Sequence, residues 1–183
     1  MHWLLFLPQL PASPSTLRVM VWRRMRAAGA LGLQNGVWVL PQRPDQQQFV
    51  KDLLAYIQEH GANSTIFEFG TLNQSIEDDI LEQFRADRDE EYTEFCERCE
   101  ALLAELERET SLEKFTFAEL EETEEDLQKL KKWLGKICAR DFFGGKMREE
   151  ALDKLELCQT AHRTFASKVY VFQGIDISGN SDD

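Results

Sequence analysis

WLLFLPQLPASPSTLRVMVWRRMRAAGALGLQNGVWVLP, residues 3–41, decides the fold. Residues 3–10 form a short apolar run closed by proline, the pattern of a strand buried on both faces. Ser13 followed by Pro14 reads as an N-cap with proline at the first helical position, which predicts a helix over 14–28 stopped by Gly29. Residues 30–41 combine alternation with an Asn35-Gly36 pair. They read either as a hairpin of two very short strands or as one long kinked strand. Further out, Phe49, Leu53, Leu54 and Ile57 recur at helical spacing over 44–60, which ends at Gly61, and NSTIFEFG (63–70) alternates as a strand. The order β-α-β(β)-α-β suggests a ferredoxin-like αβ unit over residues 1–74.

Beyond residue 74 the period becomes helical and stays so. Ser75, with Asp78 three residues on, predicts a helix start, and Ile76, Ile80, Phe84, Tyr92, Phe95, Cys99, Leu102 and Leu106 carry one apolar stripe to about Thr110. Thr116 with Glu119 is a capping box opening a second helix over 116–140, before the Phe142-Phe143-Gly144-Gly145 break. Ala151, Leu155, Cys158, His162, Phe165, Val169 and Phe172 mark a third, from 147 to 170. Single stripes must be buried against something. The expectation is an α+β fold, in which an antiparallel three-helix unit over 75–174 packs on the αβ unit and shares its core. Residues 175–183 lack periodicity and read as a disordered tail.

Charge divides the chain in the same place. Up to residue 76 there are six basic and four acidic residues, and the remainder holds 15 basic and 29 acidic, within a total net charge of −12. Runs such as EETEEDLQKLKK (121–132) read as a solvated helix face with Glu–Lys pairing four residues apart. A chain of this sign is repelled by nucleic acid at long range. Any contact with DNA must therefore use Arg18, Arg23, Arg24, Arg26, Arg43 and Lys51. The 43% hydrophobic content excludes a disordered tract. No run approaches the roughly 20 apolar residues that span a bilayer, and the N-terminus has neither a basic leader nor a small-residue cleavage site. A cytoplasmic protein without membrane contacts is expected, its four cysteines reduced.

The motifs for chemistry are sparse. Cys96 and Cys99 have the Cys-x-x-Cys spacing of zinc and redox sites, but no second ligand pair accompanies them. Cys99 falls on a helical apolar stripe, so the pair reads as small buried hydrophobes and no metal is expected. Phosphate-cradling glycine loops and the His-Glu-x-x-His and Gly-x-Ser-x-Gly patterns are missing, so no catalytic residue and no cofactor is assigned. The first helix is more informative. Leu17, Met20, Val21, Met25 and Ala28 define its apolar face with Trp22 at the margin, while Arg23 and Arg26 point outward. Arg18 and Arg24 fall at the margin of the buried face, where a guanidinium needs a partner. Two readings stand: ion pairs with the acidic helices, or an oxyanion site built from the Arg18 and Arg24 forks.

Residues 3–41 resemble the N-terminal domain of the chromate resistance regulator ChrB. The stretches EYTEFCERCEALLAELERE (91–109) and RDFFGGKMREEALDKLELCQTAHRTFASKVYVF (140–172) are similar to the helical remainder of that domain. The resemblance implies a non-enzymatic DNA-binding regulator that responds to chromate or a related oxyanion. Longer members continue into a second domain, and no such region is read here. A homodimer is retained among the expected partners.

The series from Arg18 to Met25, then Gly29, Gln34 and Val37-Trp38, is also similar to the ferredoxin-like CRISPR-associated spacer-acquisition nucleases and to the middle domain of PaaX repressors. The nucleases place a metal-binding aspartate at the end of the first strand. Leu7, Pro8, Gln9 and Leu10 stand there in this chain, which argues against nuclease chemistry. The alternative to a regulator is a protein-interaction module of the same fold with purely structural arginines.

Overall fold

The structure is a computed structural model that describes residues 1–13 and 15–175. Contacts divide the chain into two units, Met1–Ala86 with Arg140–Phe143, and Asp87–Ala139 with the chain from Gly144 onward.

In the first unit the elements are β1 (His2–Gln9), α1 (Thr16–Ala27), β2 (Leu31–Gly32), β3 (Trp38–Pro41), α2 (Pro44–Glu59), β4 (Asn63–Gly70) and the opening turns of α3 (Gln74–Ser111). The strands form one antiparallel sheet of order β2-β3-β1-β4. That is the ferredoxin-like arrangement, with β1 central as its continuous apolar run predicts. The hairpin alternative for residues 30–41 is the one realised. A single 3-10 turn at Gln34–Gly36 joins β2 to β3, closed by Leu33 N–H donating to Val37 O at 2.7 Å and by Gly36 at φ +76°.

The register explains how β1 is buried on both sides. Leu4 opposes Leu40 and Phe6 opposes Trp38, and these four pack with Val21 and Met25 of α1 and Val50, Leu53 and Ile57 of α2. The alternate residues point the other way. Trp3, Leu31 and Val39 meet Phe84 of α3, and Trp3 stacks on Phe84 with ring centroids 5.8 Å apart. Phe142 and Phe143 join them. This second layer of aromatics carries the first compact unit beyond residue 74, to Ala86 and the 140–143 segment.

Helix ends follow the sequence with two differences. The α1 helix begins at Thr16, with Ser15 at the cap position making no side-chain bond, and Pro14 lies outside the described residues. Asn73, not Ser75, caps α3: its Oδ1 accepts the Ile76 N–H at 3.0 Å, two residues earlier than the Ser75–Asp78 pair implied. Gly29 stops α1 at φ +77°, and a Cβ there would come within 2.9 Å of Arg140 Cβ, so both backbone angle and space require glycine.

The second unit contains the rest of α3, with α4 (Phe117–Arg140) and α5 (Arg148–Phe172). Leu120, Thr123, Leu127, Leu130, Leu134 and Ile137 are buried on α4 at alternating three- and four-residue intervals. They close on Tyr92, Phe95, Cys99, Leu102 and Leu106 of α3 and on Ala151, Cys158, Phe165 and Val169 of α5. The Thr116 hydroxyl accepts the Glu119 N–H at 3.2 Å, realising the expected cap of α4. Asp89 of α3 caps α5 across the unit, its carboxylate accepting the Met147 N–H at 3.1 Å. A side chain at Gly145 would collide with that carboxylate. Glu109 is fully buried, with Arg108 at 2.6 Å and Lys114 at 3.1 Å as charge partners. Among the described residues no helix is long and apolar enough to cross a membrane. The tail reading falls on residues 176–183, outside the described part, except for Ile175.

Candidate nucleic-acid interface on the first helix

The α1 sequence TLRVMVWRRMRA holds four arginines and no carboxylate. Val21 and Met25 are fully buried and Leu17 and Met20 pack partly against the same core, so the helix anchors through a narrow stripe and leaves its opposite face to water. Arg18, Arg23, Arg24 and Arg26 are all exposed. For Arg18 and Arg24 this corrects the expectation of a position at the margin of the buried face. A marginal Cα does not bury the end of so long a side chain, because the stem lies along the protein and the guanidinium emerges.

Each has a partner, and neither partner is a carboxylate. Arg18 Nη2 donates to Ala12 O at 2.8 Å, and the Arg24 guanidinium lies 4.2 Å from the Tyr56 ring centroid. Six residues at 100° each turn Arg24 some 240° from Arg18 around the helix axis, by the geometry of. The two forks therefore face different sides of α1.

The remaining cations of the sequence reading sit on α2. Arg43, the N-cap residue, donates to Phe142 O at 2.8 Å and lies 5.0 Å from the Phe142 ring. Lys51 is exposed one helical stretch further on.

One neighbour of the arginines, at the margin of the apolar face of α1, is more exposed than that position implies. Trp22 is 55% exposed and Val19 43% exposed, an apolar pair one turn apart amid the cations. Beside them opens a cavity of about 520 Å³ lined by Pro8, Leu10, Arg18, Val21, Trp22 and Trp38, among others. Gly32 makes room for the Trp38 ring, which a Cβ would approach to 3.2 Å.

The cysteines lie elsewhere. All four are free thiols, and Cys96, Cys99 and Cys158 are buried in the helical core, with the Cys158 thiol donating to Cys99 O at 3.4 Å. A hydrogen bond with Cys158, then burial, pushes the Cys99 thiol up, and burial raises Cys96. Both thus disfavour the thiolate that nucleophilic or metal chemistry needs. Among the described residues no three His, Cys, Asp or Glu side chains converge as metal ligands.

A ferredoxin-like sheet with an arginine-bearing first helix, continued in sequence by three stripe-packed helices, defines an α+β domain with a helical extension. The chain belongs to the family described as Protein ChrB, N-terminal, whose profile matches residues 18–175. It is similar to Protein ChrB of Cupriavidus metallidurans, with 30% identity over 95 residues, 51% of this chain and 28% of that protein. The aligned part thus spans less than a third of the relative.

Proposed function

We propose that this chain is a ChrB-type regulatory module of chromate resistance, cytoplasmic and non-catalytic, that binds DNA through α1, with chromate or a related oxyanion as its signal. One observation carries the reading: α1 holds four exposed arginines and no carboxylate, in a chain whose net charge is −12. Such a helix is a local positive site on an otherwise repulsive surface, and phosphate neutralisation by guanidiniums supplies sequence-independent affinity. Arg23 contributes charge directly. Arg18 has donors beyond the one bound to Ala12 O, enough for an oxyanion.

The experiment is duplex binding across a salt series with the native chain and Arg23→Gln. Removing one phosphate contact lowers the slope of log affinity against log salt by about 0.9. Addition of chromate should shift the melting temperature of the native chain and not that of Arg18→Gln, because a ligand stabilises only the state that binds it. If the native chain shows neither salt-sensitive DNA binding nor stabilisation by chromate, the regulator reading fails.

The second reading, an interaction module with structural arginines, is favoured by Arg24 on Tyr56 and Arg43 on Phe142. It predicts that Arg24→Gln and Arg43→Gln lower the melting temperature and leave no DNA binding to lose.

A further inference from the structure

The cavity beside α1 has walls of one chemistry and a rim of another. Pro8, Leu10, Val19, Val21 and the two indoles are apolar, and among the described residues Arg18 is the charged one lining it and no carboxylate does. Trp38 is buried and held in place by its strand pairing with Phe6 and Gly32. Trp22 instead exposes more than half of its surface. An indole kept in water next to an apolar cleft offers a flat stacking surface. With a volume of about 520 Å³, the cleft falls within the range of ligand sites. Flat apolar walls with a single cation select a planar ring bearing an anionic group.

The residues along α1 extend that selection. Arg18 stands four positions before Trp22, Arg23 directly follows it, and Arg26 stands four positions after it. Residues four apart share a helix face. Cations are thus spaced along the helix to both sides of the indole, as a polyanion requires and a single anionic group does not.

We propose that Trp22 and the cleft beside it receive an unpaired nucleobase of a DNA strand, with the flanking phosphates held by Arg18 and the arginines that follow Trp22. This rests on the DNA-binding reading of α1 and adds to it a preference for distorted or locally unpaired DNA. A base inside a paired duplex presents only its edges, so its face reaches an indole only after leaving the stack.

The test compares a short duplex, the same duplex carrying a run of unpaired thymines, and thymidine monophosphate, at low salt, by fluorescence anisotropy of the DNA and by tryptophan fluorescence of the protein. The unpaired site should bind more tightly than the paired duplex and quench tryptophan emission. Trp22→Ala should weaken binding to the unpaired site by about tenfold, the range of a single base–aromatic stack. It should remove the preference while leaving affinity for the paired duplex in place, and Trp22→Phe should retain most of the preference. Because Trp22 is exposed, unchanged melting curves are expected for both variants and serve as the folding control.

Equal affinity for paired and unpaired DNA, or an unpaired-site affinity insensitive to Trp22→Ala, overturns the stacking site and leaves the arginine reading standing. Binding of thymidine monophosphate as tight as that of the unpaired strand overturns the strand and marks a free-nucleotide site. Absence of binding to every DNA overturns the stacking site together with the function on which it rests.

Discussion

Helices α1 and α4 are both amphipathic, yet they use charge in opposite ways. On α4 the buried positions recur without a gap from Leu120 to Ile137, and the outer face matches carboxylates with lysines: Lys129 lies 2.7 Å from Asp126 and 3.8 Å from Glu125. Such pairs are worth little individually and neutralise the face they sit on. The α1 helix fully buries two side chains, and its Arg18 and Arg24 turn to a carbonyl and an aromatic ring instead of carboxylates. Charge on α4 is a solvent coat over a core-forming helix, whereas charge on α1 is the part that the proposed function assigns to a ligand. Substitutions on α4 should therefore be read in stability, and substitutions on the outer face of α1 in binding.

The largest effect should come from shortening the chain. A fragment ending at residue 74 loses Phe84, Phe142 and Phe143 from the fully buried Trp3 and leaves the second face of the sheet open to water. We expect it to lack a cooperative thermal transition, and a sharply melting fragment would show that α1, α2 and the sheet suffice.

Next, Ile137→Ala on α4 removes a fully buried side chain and should cost about 2–5 kcal/mol in urea unfolding. Arg23→Gln on α1 should stay within about 0.5 kcal/mol. Similar costs for the two would erase the contrast between the helices.

Asp89→Ala, which removes the carboxylate at the start of α5, should cost about 1 kcal/mol, as lost helix caps do. Unchanged stability would mean that solvent satisfies the Met147 N–H equally well.

The smallest effect concerns Glu105, whose carboxyl is held above the usual range by burial and then by the neighbouring charges of Glu122 and Asp126. The folded state therefore holds this proton more tightly than the unfolded state does. Ionisation weakens folding as pH rises through the ordinary glutamate range and above it. Glu105→Gln should raise the melting temperature slightly at neutral pH and converge with the native chain at acidic pH. A decrease at neutral pH would reverse the assigned sign.

Much of this architecture was legible because its signals are local. Period two over 63–70 and the three-four spacing of Leu120, Leu127, Leu130, Leu134 and Ile137 state which side of each element is apolar before any partner is known. Gly29 and Thr116 announced helix ends for the same reason. Asn73 was overlooked as a cap because Ser75 also satisfies the rule, and the choice between them depends on where the chain leaves β4. The six cations were legible as residues, while their roles depended on neighbours far along the chain: Tyr56 lies 32 positions from Arg24, and Phe142 lies 99 from Arg43.

By itself, then, the sequence determined the order of elements outside residues 30–41, the apolar face of each and the net positive balance of the N-terminal segment, because periodicity and composition act within a few residues. Tertiary structure alone decided that residues 30–41 form a hairpin, that α3 contributes Phe84 to the second face of the sheet, and that Trp22 stands exposed beside a cleft. The physical reason is reach: a side chain ends several ångströms from its Cα, and what it meets there is set by which distant segments the fold brings alongside.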